Sequence, residues 1–277
     1  MQILRLLAPA VLALFVSAPL CAQPQPGPEP ALTYADLVGL ADRTPLVLKA
    51  QIRDQATVEA ERSPGLAAGH VRLYIEARTT ALIAGSVPVG ESLSYLVDVP
   101  LDARGKPPRF KKTEVILFAR PVPGRVGQIQ LVRPDAQFPY SPEFDSRLRP
   151  VLAALAAPDA PPRITGVRDA LAVEGTLVGE SETQIFLDTE HDGPVSVTVV
   201  HRPNQAPRWG VSWTEIVDQA ARAPQRGTLE WYRLACVLPE NLPPRANLSR
   251  DSRAHALAAR DYAFVIRQLG PCQRTRD

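Results

Sequence analysis

The sequence predicts an α+β protein. A small N-terminal β-barrel or sandwich, with an OB-like barrel as one candidate, follows a short helix and precedes an α+β domain with a β-hairpin and C-terminal helices. Five short runs rich in β-branched and aromatic residues occur within about a hundred residues, with Gly and Pro between them. An Asp-Gly pair at 192–193 between two further runs is typical of a β-hairpin. An apolar stripe at helical spacing ends at Gly270 and predicts a C-terminal helix.

Residues 1–22 have the pattern of a secretory signal peptide. A positive start with Arg5 precedes the apolar residues 6–16 and a cleavage point after Ala22. About 11 apolar residues are too few for the roughly 20 that a membrane-spanning helix needs, so no transmembrane span is expected after cleavage. The alternatives are an uncleaved anchor and lipid attachment at Cys21, which the bulky residue before it disfavours.

Residues 23–32 are expected to form a Pro-rich spacer, because alternate prolines favour an extended polyproline conformation. A β-rich domain at residues 33–157 follows. Thr33 and Asp36 have the spacing of a helix capping box, and the short helix that they begin should end before Pro45. The five predicted strands are residues 46–53, 71–76, 93–99, 114–119 and 128–132.

A predicted helix within residues 142–157, with a break expected at Pro150, ends this domain. Residues 158–162 contain three prolines and mark the expected boundary to an α+β domain at residues 163–277. This second domain should begin with three strands, of which the last two form the hairpin, in a loop that can exceed two residues. The strands are residues 171–178, 183–188 and 195–201.

Three helices are expected in the rest of the second domain. Ser212 and Glu215 have capping-box spacing for a helix that continues through Ala221. Residues 228–238 have apolar side chains on every face, which favours a buried helix. The final helix has its apolar stripe between residues 258 and 269.

The sequence contains three cysteines, and the predicted cleavage removes Cys21. The even pair that is left, Cys236 and Cys272, predicts one disulfide in an exported chain. Two separate buried thiols are the alternative. The disulfide would join the buried helix at residues 228–238 to the end of the final helix.

Charge and motifs exclude several function classes. Lys and Arg total 31 against 29 Asp and Glu, and without Arg5 the balance is 30 against 29, a net charge of +1. Such a balance gives no overall attraction to nucleic acid, which is not an expected partner. The sequence has no P-loop and no GxGxxG, HExxH or CxxC motif, so no cofactor and no metal site is predicted.

Two short segments contain residue types that could perform chemistry. Residues 188–193 resemble the start of a calcium loop, but Glu190 and Val199 occupy its third and twelfth positions, so a solvated hairpin turn is the better interpretation. His191 lies between two carboxylates and is a candidate general base, but no nucleophile is recognisable near it. Ser212 lies outside a GxSxG motif, so no catalytic residue is predicted.

The strongest candidate site is a cluster of five positive charges within nine residues. Such a density could bind phosphate, a lipid headgroup or an acidic glycan, with a flexible, solvated loop as the alternative. A single aromatic residue, Phe110, does not make the stacking platform of a nucleic-acid site. The candidate anion-binding residues are Arg104, Lys106, Arg109, Lys111 and Lys112.

All three tryptophans lie within 23 residues, at Trp209, Trp213 and Trp231, with Tyr232 beside the last. They could line an apolar pocket or a partner surface. A plain hydrophobic core is the favoured interpretation.

At TLEWYRLACVLP and DYAFVIRQLGPC the chain resembles uncharacterised secreted proteins of GC-rich proteobacteria, chiefly over its last fifty residues. The resemblance implies no activity, only that Cys236 and Cys272 pair. The leading hypothesis is an exported, periplasmic or secreted, non-enzymatic protein that binds an envelope protein or an anionic envelope component. The alternative is a hydrolase of envelope material with its site at the domain interface. A buried histidine–carboxylate–hydroxyl cluster would favour the hydrolase, and an exposed basic or apolar patch would favour binding.

Overall fold

The first half of the chain forms a sheet of six antiparallel strands around β1. The computed structural model describes residues 32–85, 87–214 and 221–276, so the predicted signal peptide and most of the spacer lie outside the described residues. The strands are β1 (Leu46–Thr57), β2 (His70–Gly85), β3 (Ser92–Pro100), β4 (Glu114–Pro121), β5 (Ile129–Leu131) and β6 (Gln137–Pro139). Their order is β3-β2-β1-β4-β5, and β6 also pairs with β4.

The two edges of this sheet approach each other without joining. Ser94 in β3 forms one isolated parallel bridge with Gln128, the residue before β5. The amide of Ser94 donates to the carbonyl of Gly127 at 2.8 Å. Within the three described stretches no ladder of hydrogen bonds closes the sheet, so the predicted barrel is not confirmed.

The alternation of apolar and polar residues gives this sheet a buried face. Val71, Leu73 and Ile75 of β2 are buried, whereas the alternate residues Tyr74 and Glu76 are exposed. β1 is longer than predicted because it still pairs with β2 after Gln51, the last of its residues that pairs with β4. The added residues of β1 lie beside the loop that holds the candidate anion-binding residues.

The second half contains a separate antiparallel sheet of four strands in the order β10-β9-β8-β7. The predicted hairpin is β8–β9, and its loop, residues 190–194, is longer than two residues. β7 begins seven residues earlier than predicted, because the pairing with β8 includes two bulges that interrupt the alternation. The strands are β7 (Ile164–Glu174), β8 (Ser181–Thr189), β9 (Val195–His201) and β10 (Arg208–Ser212).

Strand β10 was not predicted, and it corrects the role given to Ser212. Ser212 is the last residue of β10 and pairs with Ser196 of β9, so it lies in a strand rather than before a helix. Glu215 and most of the helix predicted up to Ala221 lie outside the described residues.

Two helices flank the first sheet. α1 (Tyr34–Ala41) has the predicted capping box between Thr33 and Asp36. α2 (Pro142–Ala156) is continuous through Pro150, so the break predicted there was wrong. Pro150 costs the helix only one backbone donor, and Ser146, whose carbonyl loses that partner, is exposed and open to water.

Two helices and a disulfide complete the second half. α3 (Leu229–Ala235) occupies part of the predicted buried segment, and α4 (Ser252–Leu269) ends at Gly270, which has a φ of 67°. The sulfur atoms of Cys236 and Cys272 are 2.09 Å apart, at disulfide distance, as predicted. The bridge joins the end of α3 to the segment after α4.

Most buried side chains of the two sheets and of the helices in the described residues form one cluster, and α4 packs against β7 and β8. A second, small cluster joins Ala172 of β7 to Ala254, Leu257 and Ala258 of α4. The chain is therefore mixed α+β with two antiparallel sheets, as predicted at the level of fold class. Residues 158–162 connect α2 to β7, and the division into two domains at this point stays a prediction. No helix among the described residues is long and apolar enough to cross a membrane.

Candidate functional site

The five candidate anion-binding residues lie together on the loop between β3 and β4, residues 101–113, which we call the basic loop. All five side chains are exposed. Asp102 is the only acidic residue in the basic loop, so the loop carries five positive charges and one negative charge, a net +4. The whole predicted cluster therefore lies on one loop with all five side chains exposed.

Hydrogen bonds hold the backbone of the basic loop. The Oδ1 atom of Asp102 accepts from the amides of Arg104 and Lys106, both at 2.8 Å. The side chain of Gln55 donates to the carbonyl of Pro108 at 2.8 Å and accepts from the amide of Phe110 at 2.6 Å. The two bonds of Gln55 join the loop to the second half of β1, whereas those of Asp102 lie within the loop.

Most cationic groups of the basic loop have no carboxylate beside them. Lys111 lies 3.6 Å from the carboxylate of Asp54, and both side chains are about two-thirds exposed, so this pair contributes little to stability. Within the described part of the chain, none of the other four cations has a carboxylate at ion-pair distance. The carboxylate of Asp102 accepts hydrogen bonds from backbone amides and is not paired with the neighbouring cationic side chains. The loop can therefore offer its charge to an external anion.

The acidic turn at residues 188–193 is tied to arginines and not arranged as a metal site. The carboxylate of Glu190 lies 2.9 Å from Arg163 and 3.2 Å from Arg43. The hydrogen bond from Arg163 lowers the pKa of Glu190. His191 is exposed in the turn. Among the described residues no three His, Cys, Asp or Glu side chains are grouped to hold a metal ion.

A buried cluster that the sequence did not reveal joins three elements of the second half. Asp261 of α4 is 2% exposed. Its Oδ2 accepts from the hydroxyl of Thr183 at 2.5 Å, and its Oδ1 lies 2.7 Å from Nε2 of His201. The carboxylate therefore stands between the hydroxyl and the imidazole.

The order of groups in this cluster differs from that of a hydrolytic triad. In a triad the imidazole takes the proton from the hydroxyl, and the carboxylate orients the imidazole. Here the hydroxyl of Thr183 donates to the carboxylate of Asp261, and Thr183 has no exposed surface. The cluster fastens α4 to the sheet, a role that buried and satisfied polar groups perform well.

Replacing Thr183 by valine should lower the free energy of unfolding by about 1–3 kcal/mol, because a buried carboxylate loses a hydrogen-bond donor while the volume stays similar. Thr198→Val is the matched control, since Thr198 of the neighbouring strand β9 lies on the opposite face of the sheet and is partly exposed. It should change stability by less than about 0.5 kcal/mol. Urea unfolding of both variants measures the difference, and equal effects would contradict the role given to the cluster.

The tryptophans are part of the core or pack against it. Trp231 is 6% exposed, and its Nε1 donates to the carbonyl of Leu269 at 2.9 Å. Trp209 and Trp213 are partly buried against the same core. Tyr232 is buried, and its hydroxyl accepts from Arg274 at 3.1 Å. The favoured core interpretation of these residues thus agrees with their positions.

A second carboxylate, that of Asp42, is 12% exposed and joins the two halves of the chain. Both of its oxygens accept from Arg233 of α3, at 2.7 and 2.8 Å, and one also accepts from Nε of Arg163 at 2.9 Å. Burial alone would raise the pKa of Asp42, but the hydrogen bonds and charges of the two arginines hold it below its usual value. Nothing local in the sequence marks this network, because 191 residues separate Asp42 from Arg233.

Asp36 anchors the C-terminal segment in a similar way. Its carboxylate accepts from the capping residue Thr33 at 2.7 Å and from the hydroxyl of Thr275 at 2.7 Å. Burial opposes the charged form, and the hydrogen bonds from Thr33 and Thr275 nevertheless keep the pKa of Asp36 low. The sequence predicted only the first of these two roles.

No protein-family model matches this chain, and no curated protein matches it either. The basic loop and the buried polar clusters are therefore interpreted from their own geometry and charge.

Proposed function

We propose that this protein is an exported binding protein that attaches to an anionic component of the cell envelope through the basic loop. The observation that carries the proposal is a net charge of +4 on thirteen exposed or half-exposed residues, with four cations that have no ion-pair partner among the described side chains. The rest of the chain is near neutral. The attraction is therefore local to one surface.

The fixed backbone of the basic loop supports this role. Binding is weakened when a loop must lose conformational freedom to meet its ligand. The bonds from Gln55 and Asp102 hold the loop before any ligand arrives. Its cations thus require less ordering than those of an unrestrained segment.

The proposal includes export to the periplasm or beyond. The signal-like residues 1–22 support it, and so does the bridge between Cys236 and Cys272, because disulfides persist in oxidising compartments. We also propose that the first sheet is an incomplete OB-like barrel. The bridge between Ser94 and Gln128, where its edges approach, supports that description.

The hydrolase alternative has less support. Its expected mark was a buried histidine–carboxylate–hydroxyl cluster, and the one at His201, Asp261 and Thr183 has the carboxylate at its centre. An exposed basic patch is the mark that was expected of a binding protein.

Binding to lipid vesicles tests the proposal. The full chain should sediment with vesicles of phosphatidylcholine and phosphatidylglycerol and not with phosphatidylcholine alone. Each Lys or Arg near an anionic surface contributes about 1 kcal/mol. A variant with glutamine at all five positions, Arg104, Lys106, Arg109, Lys111 and Lys112, should therefore lose detectable binding.

A control with the same change in net charge separates local from overall attraction. It replaces five exposed arginines elsewhere by glutamine, namely Arg202, Arg208, Arg250, Arg260 and Arg267. This control should retain most of the binding. Equal losses in both variants, or unchanged binding of the basic-loop variant, would refute the proposed function.

A further inference from the structure

An apolar groove lies at the other end of the first sheet from the basic loop. It has a volume of about 590 Å³ and is bounded by the loop after β2 and the loop after β4. It borders Leu46, the first residue of β1, whereas the basic loop is bonded to Ile52 and Gln55. Six residues of strand correspond to roughly 20 Å, so the groove is a separate feature.

The lining of the groove is aliphatic. Leu46, Leu93 and Ile129 form its buried floor, and the walls contain only aliphatic side chains, prolines and glycines apart from two polar residues. The apolar wall residues are Val87, Pro88, Val89, Pro121, Val122 and Val126. Val126 is fully exposed. Covering such a surface with an aliphatic group removes it from water, which is favourable for binding.

The two polar side chains stand together on one wall. Arg125 donates to the Oε1 atom of its neighbour Gln128 at 3.4 Å. In the described part of the chain no carboxylate lies at ion-pair distance from Arg125. A guanidinium in this condition is complementary to a carboxylate, which it can bind through two parallel hydrogen bonds.

The backbone of the walls is already engaged. The carbonyl of Gly127 accepts from the amide of Ser94 at 2.8 Å, and the carbonyl of Gln128 accepts from the amide of Val122 at 3.1 Å. The carbonyl of Gly90 accepts from the hydroxyl of Thr79 at 2.9 Å. A peptide added as a strand needs such backbone groups, whereas an aliphatic chain needs none.

We infer that the groove binds one unbranched aliphatic chain with a carboxylate at its end, as in a fatty acid. The chain lies on the floor formed by Leu46, Leu93 and Ile129. The carboxylate is paired with the guanidinium of Arg125. Because hydrogen bonds fix the backbone of the walls, the site is formed before the ligand binds. This inference does not depend on the function proposed for the basic loop.

Calorimetric titration of the full chain with octanoate, decanoate and dodecanoate, each below its micellar concentration, tests the inference. Binding should saturate at one ligand per chain, and the affinity should rise about fourfold for each added methylene until the groove is filled. Decanol should bind more weakly than decanoate, and Arg125→Gln should abolish that difference. Affinity that is independent of chain length, or binding that does not saturate, would overturn the inference.

Two matched valines test the location. Val126→Asp should remove binding of decanoate, because it places a negative charge and a polar group at the mouth of the groove. Val178→Asp is the control, since Val178 is also almost fully exposed but lies on the β7–β8 turn. It should leave the affinity unchanged, as should the five glutamines in the basic loop. Equal effects of the two aspartates would place the site elsewhere and refute the inference.

Sedimentation velocity and binding of phosphatidylglycerol test whether a second copy of the chain or a lipid occupies the groove instead. The native chain without ligand should sediment as a monomer. A dimer that Val126→Asp converts to a monomer would assign the groove to a second copy of the chain and overturn the inference. Binding of phosphatidylglycerol without binding of free decanoate would overturn it as well.

Discussion

Replacing Asp42 by asparagine should lower the free energy of unfolding by about 3–5 kcal/mol, because it leaves the buried guanidinium of Arg233 without a counter-charge. Arg233 is 5% exposed and makes two hydrogen bonds to the lost carboxylate. Arg163, the second partner, is about one-third exposed and can turn to water. Urea unfolding, followed by circular dichroism, measures the change.

Two further variants show whether burial is the cause. Asp54→Asn removes the exposed partner of Lys111 and should cost less than about 1 kcal/mol. Replacing Asp42 and Arg233 together by leucines should recover most of the stability that the single change loses, because no buried charge is then left unpaired. A double variant as unstable as Asp42→Asn would contradict this explanation.

The carboxylate of Asp42 makes the free energy of unfolding depend on pH. The folded-state pKa of Asp42 is lower than its ordinary value of 3.8. A lowered pKa contributes stability that is present above the unfolded-state value and is lost as the pH falls through the folded-state value. The difference in stability between the native chain and Asp42→Asn should therefore shrink below about pH 4. A constant difference down to pH 2 would be inconsistent with the lowered pKa.

Removing the disulfide should lower the free energy of unfolding by about as much as Asp42→Asn does. Cys236 and Cys272 are 36 residues apart, and the chain-entropy treatment gives about 4 kcal/mol for a loop of this length. The double variant Cys236→Ser, Cys272→Ser should therefore unfold at a much lower urea concentration than the native chain. The single variant Cys21→Ser is the control and should match the native chain.

Thiol counting gives an independent check on the disulfide. The full chain, denatured without reductant, should react with a thiol reagent at one cysteine, Cys21, and not at three. Three reactive thiols, or a double serine variant as stable as the native chain, would contradict a bridge between Cys236 and Cys272.

These two constraints act on the same part of the molecule. The disulfide holds the segment after α4, and Thr275 within that segment is bonded to Asp36 of α1. Asp42, just after α1, is bonded to Arg233 of α3. α1 and the residue that follows it are thus joined to the C-terminal half of the chain through two carboxylates, Asp36 and Asp42.

Features with a local signature could be predicted from the sequence. The capping box of Thr33 and Asp36 is defined by a spacing of three residues, and the alternation in β2 and β3 follows directly from burial of one face. The basic loop was recognised because its five cations are close together in the chain. The cysteine pair was recognised because only two cysteines follow the predicted cleavage site.

Features that depend on distant partners could not be predicted. Asp261 meets His201 across 60 residues and Thr183 across 78, and Asp42 meets Arg233 across 191. Each of these residues, taken alone, is typical of a solvated surface. Strand β10 was missed because it is short and contains Gly210, whose missing side chain admits the backbone of Ala221. Tertiary contacts decide all of these positions.

Hydrogen–deuterium exchange on anionic vesicles tests most directly the claim that the basic loop is the contact surface. The full chain is compared with and without vesicles of phosphatidylcholine and phosphatidylglycerol. We expect slower exchange in residues 101–113, and no change in the control segment, residues 175–180 at the β7–β8 turn. Protection that spares the basic loop and occurs elsewhere would contradict the account.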